Sequence, residues 1–122
     1  MKILVIGHDG QVGSSLMKLG PAYGYEMKGC TFPEIDITSL EMVQEKVSSL
    51  HPDLIINAAA YTAVDKAEED LEAAYLVNDK GTENLAVVSE AHGIPLFHIS
   101  TDYVFDGAGG PYFEDDEVNP LS

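Results

Sequence analysis

Apolar residues in this chain fall into two alternating patterns, short dense runs and longer stretches where they recur every three or four positions. Lys2 to Ile6 is too short for a helix, is rich in β-branched residues and stops at Gly7, which predicts a buried parallel strand. After a glycine-bearing turn at 7–13, Val12, Leu16, Met17 and Leu19 follow at near-helical spacing, and Gly20-Pro21 is the pair expected to end that helix. Tyr25 to Thr31 predicts a second, weaker strand, and Glu34 to Ile37 a short third one. Thr38 with Glu41 three residues on reads as a capping box that opens a helix. Its apolar stripe is Leu40, Val43, Val47 and Leu50, and it stops at His51-Pro52. Asp53 to Ala60 (DLIINAAA) predicts a fourth strand that ends in small residues.

Between Val64 and Asn78 the set Val64, Ala67, Leu71, Ala74, Tyr75 and Asn78 shares one helical face, and most of the acidic residues there lie elsewhere. A further helix is expected over Gly81 to His92, capped by Gly93, and a fifth strand over Pro95 to Ser100 (PLFHIS). Beyond Ser100 the periodicity dissolves among glycines and prolines, so 101–122 reads as irregular. Strands alternating with helices predict an α/β fold, a doubly wound parallel sheet covered on both faces with right-handed crossovers. The expected strand order is 3-2-1-4-5, with ligand at the carboxyl ends of strands one and four.

Composition narrows the function classes. A chain of 122 residues with 45% hydrophobic residues builds one core. No apolar run approaches the roughly 18 residues of a membrane span, and the N-terminus shows no cleavage signal. One cysteine, Cys30, excludes an internal disulfide, suits a reducing cytoplasm and reads as packed rather than nucleophilic. The formal charge is −15, and every basic residue is lysine. Without arginine there is no guanidinium fork for phosphates or guanine edges, which argues against nucleic-acid binding. Fourteen of the 21 acids lie in 61–122, so an anionic ligand must be met by backbone amides and helix ends, or by chain outside this segment.

The turn Gly7-His8-Asp9-Gly10-Gln11-Val12-Gly13 is G-x-x-G-x-x-G between a strand and a helix N-terminus. Glycines there permit a tight turn, backbone approach to a pyrophosphate and close helix–strand packing, a Rossmann-like arrangement. A ribose-selecting acid is usual about 20 residues beyond such a turn, yet this chain offers Gly29, Cys30 and Thr31, so NAD specificity is unsupported. Lys28 is a weak candidate for a 2′-phosphate. Asp36 either faces adenine or caps its own turn. Asn57-Ala58-Ala59-Ala60 provides small side chains against which a flat cofactor could lie, or simply tight helix packing. Ser100-Thr101-Asp102-Tyr103 puts hydroxyls and a carboxylate at the end of the fifth strand, and alone reads equally as a local side-chain turn.

GHDGQVG at 7–13, DIT at 36–38, NAAAYTAVDKAE at 57–68, VN at 77–78, GTENLA at 81–86, STDYVFDG at 100–107 and EDDEVNPLS at 114–122 together resemble the dTDP-4-dehydrorhamnose reductases. These are extended short-chain dehydrogenases/reductases, and the likeness runs essentially end to end. It implies that Gly7, Gly10, Gln11, Val12, Gly13, Asp36, Ile37, Ala58, Ala59 and Ala60 bind NADPH or NADH. It implies that Thr101 is the catalytic hydroxyl, that Thr101 and Asp102 touch substrate, and that the reaction converts dTDP-4-dehydro-L-rhamnose to dTDP-L-rhamnose. The family's Tyr-x-x-x-Lys pair follows the segment matched by 119–122, and none of the six tyrosines here has lysine four positions on. The expectation is therefore a Rossmann core at 1–100 and an irregular segment at 101–122 leading into an absent catalytic helix and substrate lobe. Such a piece is inactive alone, and its sheet is incomplete at the fifth strand, inviting self-association through 95–100 or disorder of 101–122. The alternative is a nonenzymatic dinucleotide-binding module or regulatory subunit of the same superfamily.

Overall fold

The computed structural model describes residues 1–60 and 70–121. Four strands, β1 (Lys2–Ile6), β2 (Glu26–Cys30), β3 (Leu54–Asn57) and β4 (Leu96–His98), form one parallel sheet in the order β2-β1-β3-β4. The helices are α1 (Gln11–Leu19), α2 (Leu40–Leu50), α3 (Leu71–Tyr75) and α4 (Gly81–His92). Because side chains alternate along a strand, each sheet face collects its own core. Leu4, Ile6 and Ile55 meet Val43 and Val47 of α2 and Leu85 and Val88 of α4, with Cys30, Ile35 and Ile37 closing that layer. Ile3, Val5, Leu54 and Ile56 face the other way, onto Leu16 and Met17 of α1 and Met27 of β2. Full burial of a Val, Leu or Ile stabilises by about 1.5–3 kcal/mol, so the first layer anchors α2 and α4.

The order agrees with the expected one except that Glu34–Ile37 is not a strand. Ile35 and Ile37 both enter the core, but the backbone turns. The Ile35 amide donates to the Thr31 carbonyl at 3.2 Å. Asp36 Oδ1 accepts from the Thr38 amide at 3.0 Å and from its hydroxyl at 2.7 Å. A side chain that satisfies backbone two residues on competes with a ladder, and here it wins. Thr38 is thereby spent, and Ser39 caps α2 instead, accepting from the Met42 amide at 3.3 Å.

Gly20-Pro21 ends α1 at Leu19 as expected, and the chain runs directly into a 3₁₀ turn over Gly20–Tyr23, which closes at left-handed Gly24 (φ +80°). Proline is tolerated there because the first residues of a helical turn need no amide partner. The two helices predicted at 64–78 and 81–92 run on as one from Leu71 to His92 through a π-helical turn at Leu76–Lys80, and the start of the first lies outside the described residues. Gly81 is helical (φ −62°), and a β-carbon on it would lie 2.6 Å from Ile37 Cδ1. It is therefore a packing glycine where α4 crosses Ile37, and Asn84 fixes the same crossing by donating to the Ile37 carbonyl at 2.9 Å. As expected, His51 and Gly93 follow the C-termini of α2 and α4, both left-handed.

Candidate functional site

The chain leaves β1 at Ile6 and turns at Gly7, whose φ of +74° a residue with a β-carbon adopts only with strain. The Gly7 amide donates to the Cys30 carbonyl at 2.8 Å, and the Ala58 amide to the Ile6 carbonyl at 2.9 Å, so the ends of β2, β1 and β3 are tied together. A β-carbon at Gly7 would lie 2.7 Å from the Ala59 nitrogen, and one at Gly13 would lie 2.1 Å from the Gly7 oxygen and 2.7 Å from His8 Cα. At Gly10 the nearest atom of the described residues stands at 3.5 Å, so none of them demands glycine there. Gly29 in β2 has its reason in the same loop, since a β-carbon there would meet the His8 ring at 2.6 Å. Gly10 precedes α1 without a side-chain cap, which leaves the first-turn amides of the helix and the positive end of its dipole open to an anion.

These elements open a cleft of about 1510 Å³ at the carboxyl ends of the strands. Of the predicted site residues, Gly7, Gly10, Gln11, Val12, Asp36, Ile37, Ala58, Ala59, Ala60 and Thr101 line it. Gly13 and Asp102 do not. Gly13 is buried where α1 packs on the loop, and Asp102 accepts the Thr101 hydroxyl at 3.2 Å. Asp36 caps its own turn and lines the cleft as well, so the two readings of it are compatible. Thr101 also accepts from the Tyr103 amide at 3.3 Å, so the turn at 101–104 and the cleft rim are the same structure.

The far wall was not legible as a wall. Leu71, Ala74, Tyr75 and Asn78 belong to the one helical face that periodicity marks out, and Leu71 is 71% and Tyr75 63% exposed. They border the cleft together with Val77, while Phe32 and Tyr103 flank other parts of it. An apolar stripe says that a face avoids water, not whether protein or ligand covers it. The charged residues of the lining are Asp9, Asp36 and Glu72, with no described lysine among them. Among the described lining residues, an anion would meet its donors in backbone amides rather than in a lysine.

At the inner end, Asn57 is fully buried. Its Oδ1 accepts from the Ala59 amide at 3.1 Å, which leaves Nδ2 to face His98 Nδ1 at 3.0 Å and the Thr82 hydroxyl at 3.4 Å. Burial lowers the His98 pKa, which favours the neutral ring, and because Asn57 Nδ2 can only donate, Nδ1 accepts and the neutral ring carries its proton on Nε2. Burial pushes the Cys30 thiol up, with Lys46 opposing and Glu34 reinforcing, as suits a packed cysteine. Tyr75 is held protonated by its hydrogen bond to Asp79, which makes it a poor proton donor.

A parallel sheet with a glycine turn into an uncapped helix and a cleft over its carboxyl ends defines a Rossmann-type α/β protein. The chain belongs to the family described as the RmlD substrate binding domain, whose model matches residues 1–122. It is 46% identical over 122 residues to a dTDP-4-dehydrorhamnose reductase of Aggregatibacter actinomycetemcomitans, covering 98% of this chain and 42% of that protein. The crystal structure of a dTDP-4-dehydrorhamnose reductase from Clostridium acetobutylicum superposes with a TM-score of 0.94 at 41% identity, over 100% of this chain and 44% of that one. A Bacillus anthracis dTDP-4-dehydrorhamnose reductase in complex with NADP superposes with a TM-score of 0.83 at 39% identity, over 87% and 38%. The resemblance read from the sequence is borne out along the whole chain, which spans about two fifths of the length of such relatives.

Proposed function

We propose that this chain is the cofactor-binding part of an enzyme that reduces the 4-keto group of dTDP-4-dehydro-L-rhamnose to dTDP-L-rhamnose in the cytoplasm, using NADPH or NADH. The observation that carries the reading is the loop at 7–13, where Gly7 and Gly13 are forced by contacts inside the protein and Gly10 is left clear beside uncapped amides. That space and those donors fit a pyrophosphate, which the acidic lining would otherwise repel. Gly10, Gln11 and Val12 would hold it, Asp36 and Ile37 would border the adenosine, and Ala58 to Ala60 would let the dinucleotide lie flat. The relatives' names and the NADP complex of one of them support the same assignment.

Bound NAD(P)H supplies the hydride. Thr101 stands on the rim with its hydroxyl lent to Asp102, and turning that hydrogen bond toward the substrate oxygen would stabilise the charge that hydride addition creates. A threonine hydroxyl is far too weak an acid to deliver the proton as well. Tyr-x-x-x-Lys is absent from residues 1–122, so in an enzyme of the relatives' length the acid would come from outside this segment. The test is loss of reduced-nicotinamide absorbance with the keto sugar nucleotide, for the full-length protein and for residues 1–122 alone. The expected result is turnover by the former and none by the latter. A full-length protein that binds NADPH but never oxidises it with this substrate would overturn the reading in favour of a nonenzymatic module.

The outer edge of β4 is unpaired among the described residues, and Phe97 within the strand is 61% and Ile99 just beyond it 42% exposed. Such an edge templates pairing with another chain. Residues 1–122 expressed alone are therefore expected to self-associate through 95–100, and Phe97→Lys to reduce this. A concentration-independent monomer in sedimentation velocity would refute it.

A further inference from the structure

Residues 101–121 have no regular element beyond one 3₁₀ turn and little apolar burial, with Tyr103, Phe113, Val118 and Leu121 all exposed. Yet the segment closes on itself around one half-buried carboxylate. Asp106 Oδ1 accepts from the Ala108 amide and from the Tyr112 hydroxyl, both at 2.9 Å, and Oδ2 accepts from Asn119 Nδ2 at 3.1 Å. The Tyr112 hydroxyl in turn accepts from the Gly109 amide at 2.9 Å. The Tyr112 ring stacks on Phe105 with centroids 4.3 Å apart and planes 5° from parallel. The Asn119 amide donates to the Val104 carbonyl at 2.9 Å, so Asn119 clamps the base of the loop with both backbone and side chain.

That base is the site's rim. Val104 and Phe105 donate to the carbonyls of Thr101 and Asp102, at 3.2 and 3.1 Å, in the turn that presents the Thr101 hydroxyl. We propose that Asp106 is a positioning residue: by gathering donors from 108, 112 and 119 it fixes the Thr101 rim and returns the chain at Asn119 beside the cleft. This rests on the reductase reading for its effect on turnover, though not for the latch itself. Three donors converge on two oxygens, a demand that an acceptor-only carboxylate meets and an amide does not, because an asparagine has one oxygen to offer and its own N–H groups would face donors. Those same donors hold the Asp106 carboxyl below the usual carboxylate range, the Ala108 amide first, then Asn119 and Tyr112.

The experiment compares full-length wild type, Asp106→Asn, Tyr112→Phe and the double variant. Asp106→Asn is expected to lower kcat/KM for the keto sugar nucleotide about ten- to hundred-fold, the scale set by small misplacements of a reacting group. NADPH affinity should change less than twofold, because Asp106 itself does not line the cleft. Tyr112→Phe should lose less, and the double variant should be no worse than Asp106→Asn within about twofold, since both act on one latch. Amide hydrogen exchange should rise at 102–109 in Asp106→Asn and stay unchanged at 7–13. Unchanged exchange at 102–109 overturns the latch whether or not the wild type turns over. Unchanged kcat/KM in an active enzyme, or NADPH affinity falling in parallel, overturns the positioning role. A wild type without turnover but with the expected exchange difference counts against the reductase reading and leaves the latch upheld.

Discussion

Gly13→Ala in the full-length protein is expected to lose about 2 kcal/mol of stability and most of its NADPH affinity. Alanine is the better helix former by about 1 kcal/mol. Here its methyl group would be driven to 2.1 Å from the Gly7 oxygen and 2.7 Å from His8 Cα, both backbone atoms that no rotamer can move aside. Overpacking costs about 1–3 kcal/mol and sometimes more, and an approach this close falls at the upper end, so the clash outweighs the propensity. Relief requires α1 to move away from the loop, which displaces the amides that meet the phosphates. Gly10→Ala makes the informative contrast. Its methyl group has 3.5 Å of clearance from the described residues, so thermal stability should hold while NADPH binding falls by tenfold or more. Melting curves and fluorescence titration on the two variants separate the roles. Wild-type NADPH affinity in Gly10→Ala would mean that no phosphate approaches the loop there.

Thr101→Val in the full-length enzyme is expected to lower kcat by about 10²–10³, the usual loss when one donor to a developing oxyanion is removed. Valine keeps the shape and β-branching of threonine but neither donates to Asp102 nor accepts from Tyr103. Thr101→Ser keeps both hydrogen bonds and should retain most of the activity, so the pair distinguishes loss of the hydroxyl from loss of packing. NADPH affinity should be little changed in either, because Thr101 is remote in sequence and role from the glycine loop. A Thr101→Val enzyme with kcat within twofold of wild type would remove the hydroxyl from the mechanism.

Much of the fold is legible in the order of residues because the signals are local. Lys2–Ile6 and Leu54–Asn57 are apolar runs too short for anything but strands, Val43 and Val47 mark the buried face of a helix, and Gly93 ends one. Sequence and structure part where one local signal has two physical causes. Ile35 and Ile37 point inward from a turn as they would from a strand, and the Asp36–Thr38 hydrogen bonds that decide between them leave no trace in hydropathy. Gly81 opens the last expected helix, whereas in the structure it lies inside one continuous helical run and serves a crossing with Ile37 from far away in sequence. Tyr75 and Leu71 share one helical face, and periodicity cannot tell a face covered by protein from one that borders a cleft.

The sequence by itself determined the alternation of parallel strands and helices, and placed a glycine turn at the end of the first strand, since periodicity and a positive φ at Gly7 are properties of neighbouring residues. Tertiary structure alone decided which glycines are compelled and by what, how Asn57 orients His98, and that residues 101–121 are latched rather than loose. The reason is common to all three. Each depends on atoms brought within a few ångströms by packing, from positions whose separation along the chain carries no periodic or compositional mark.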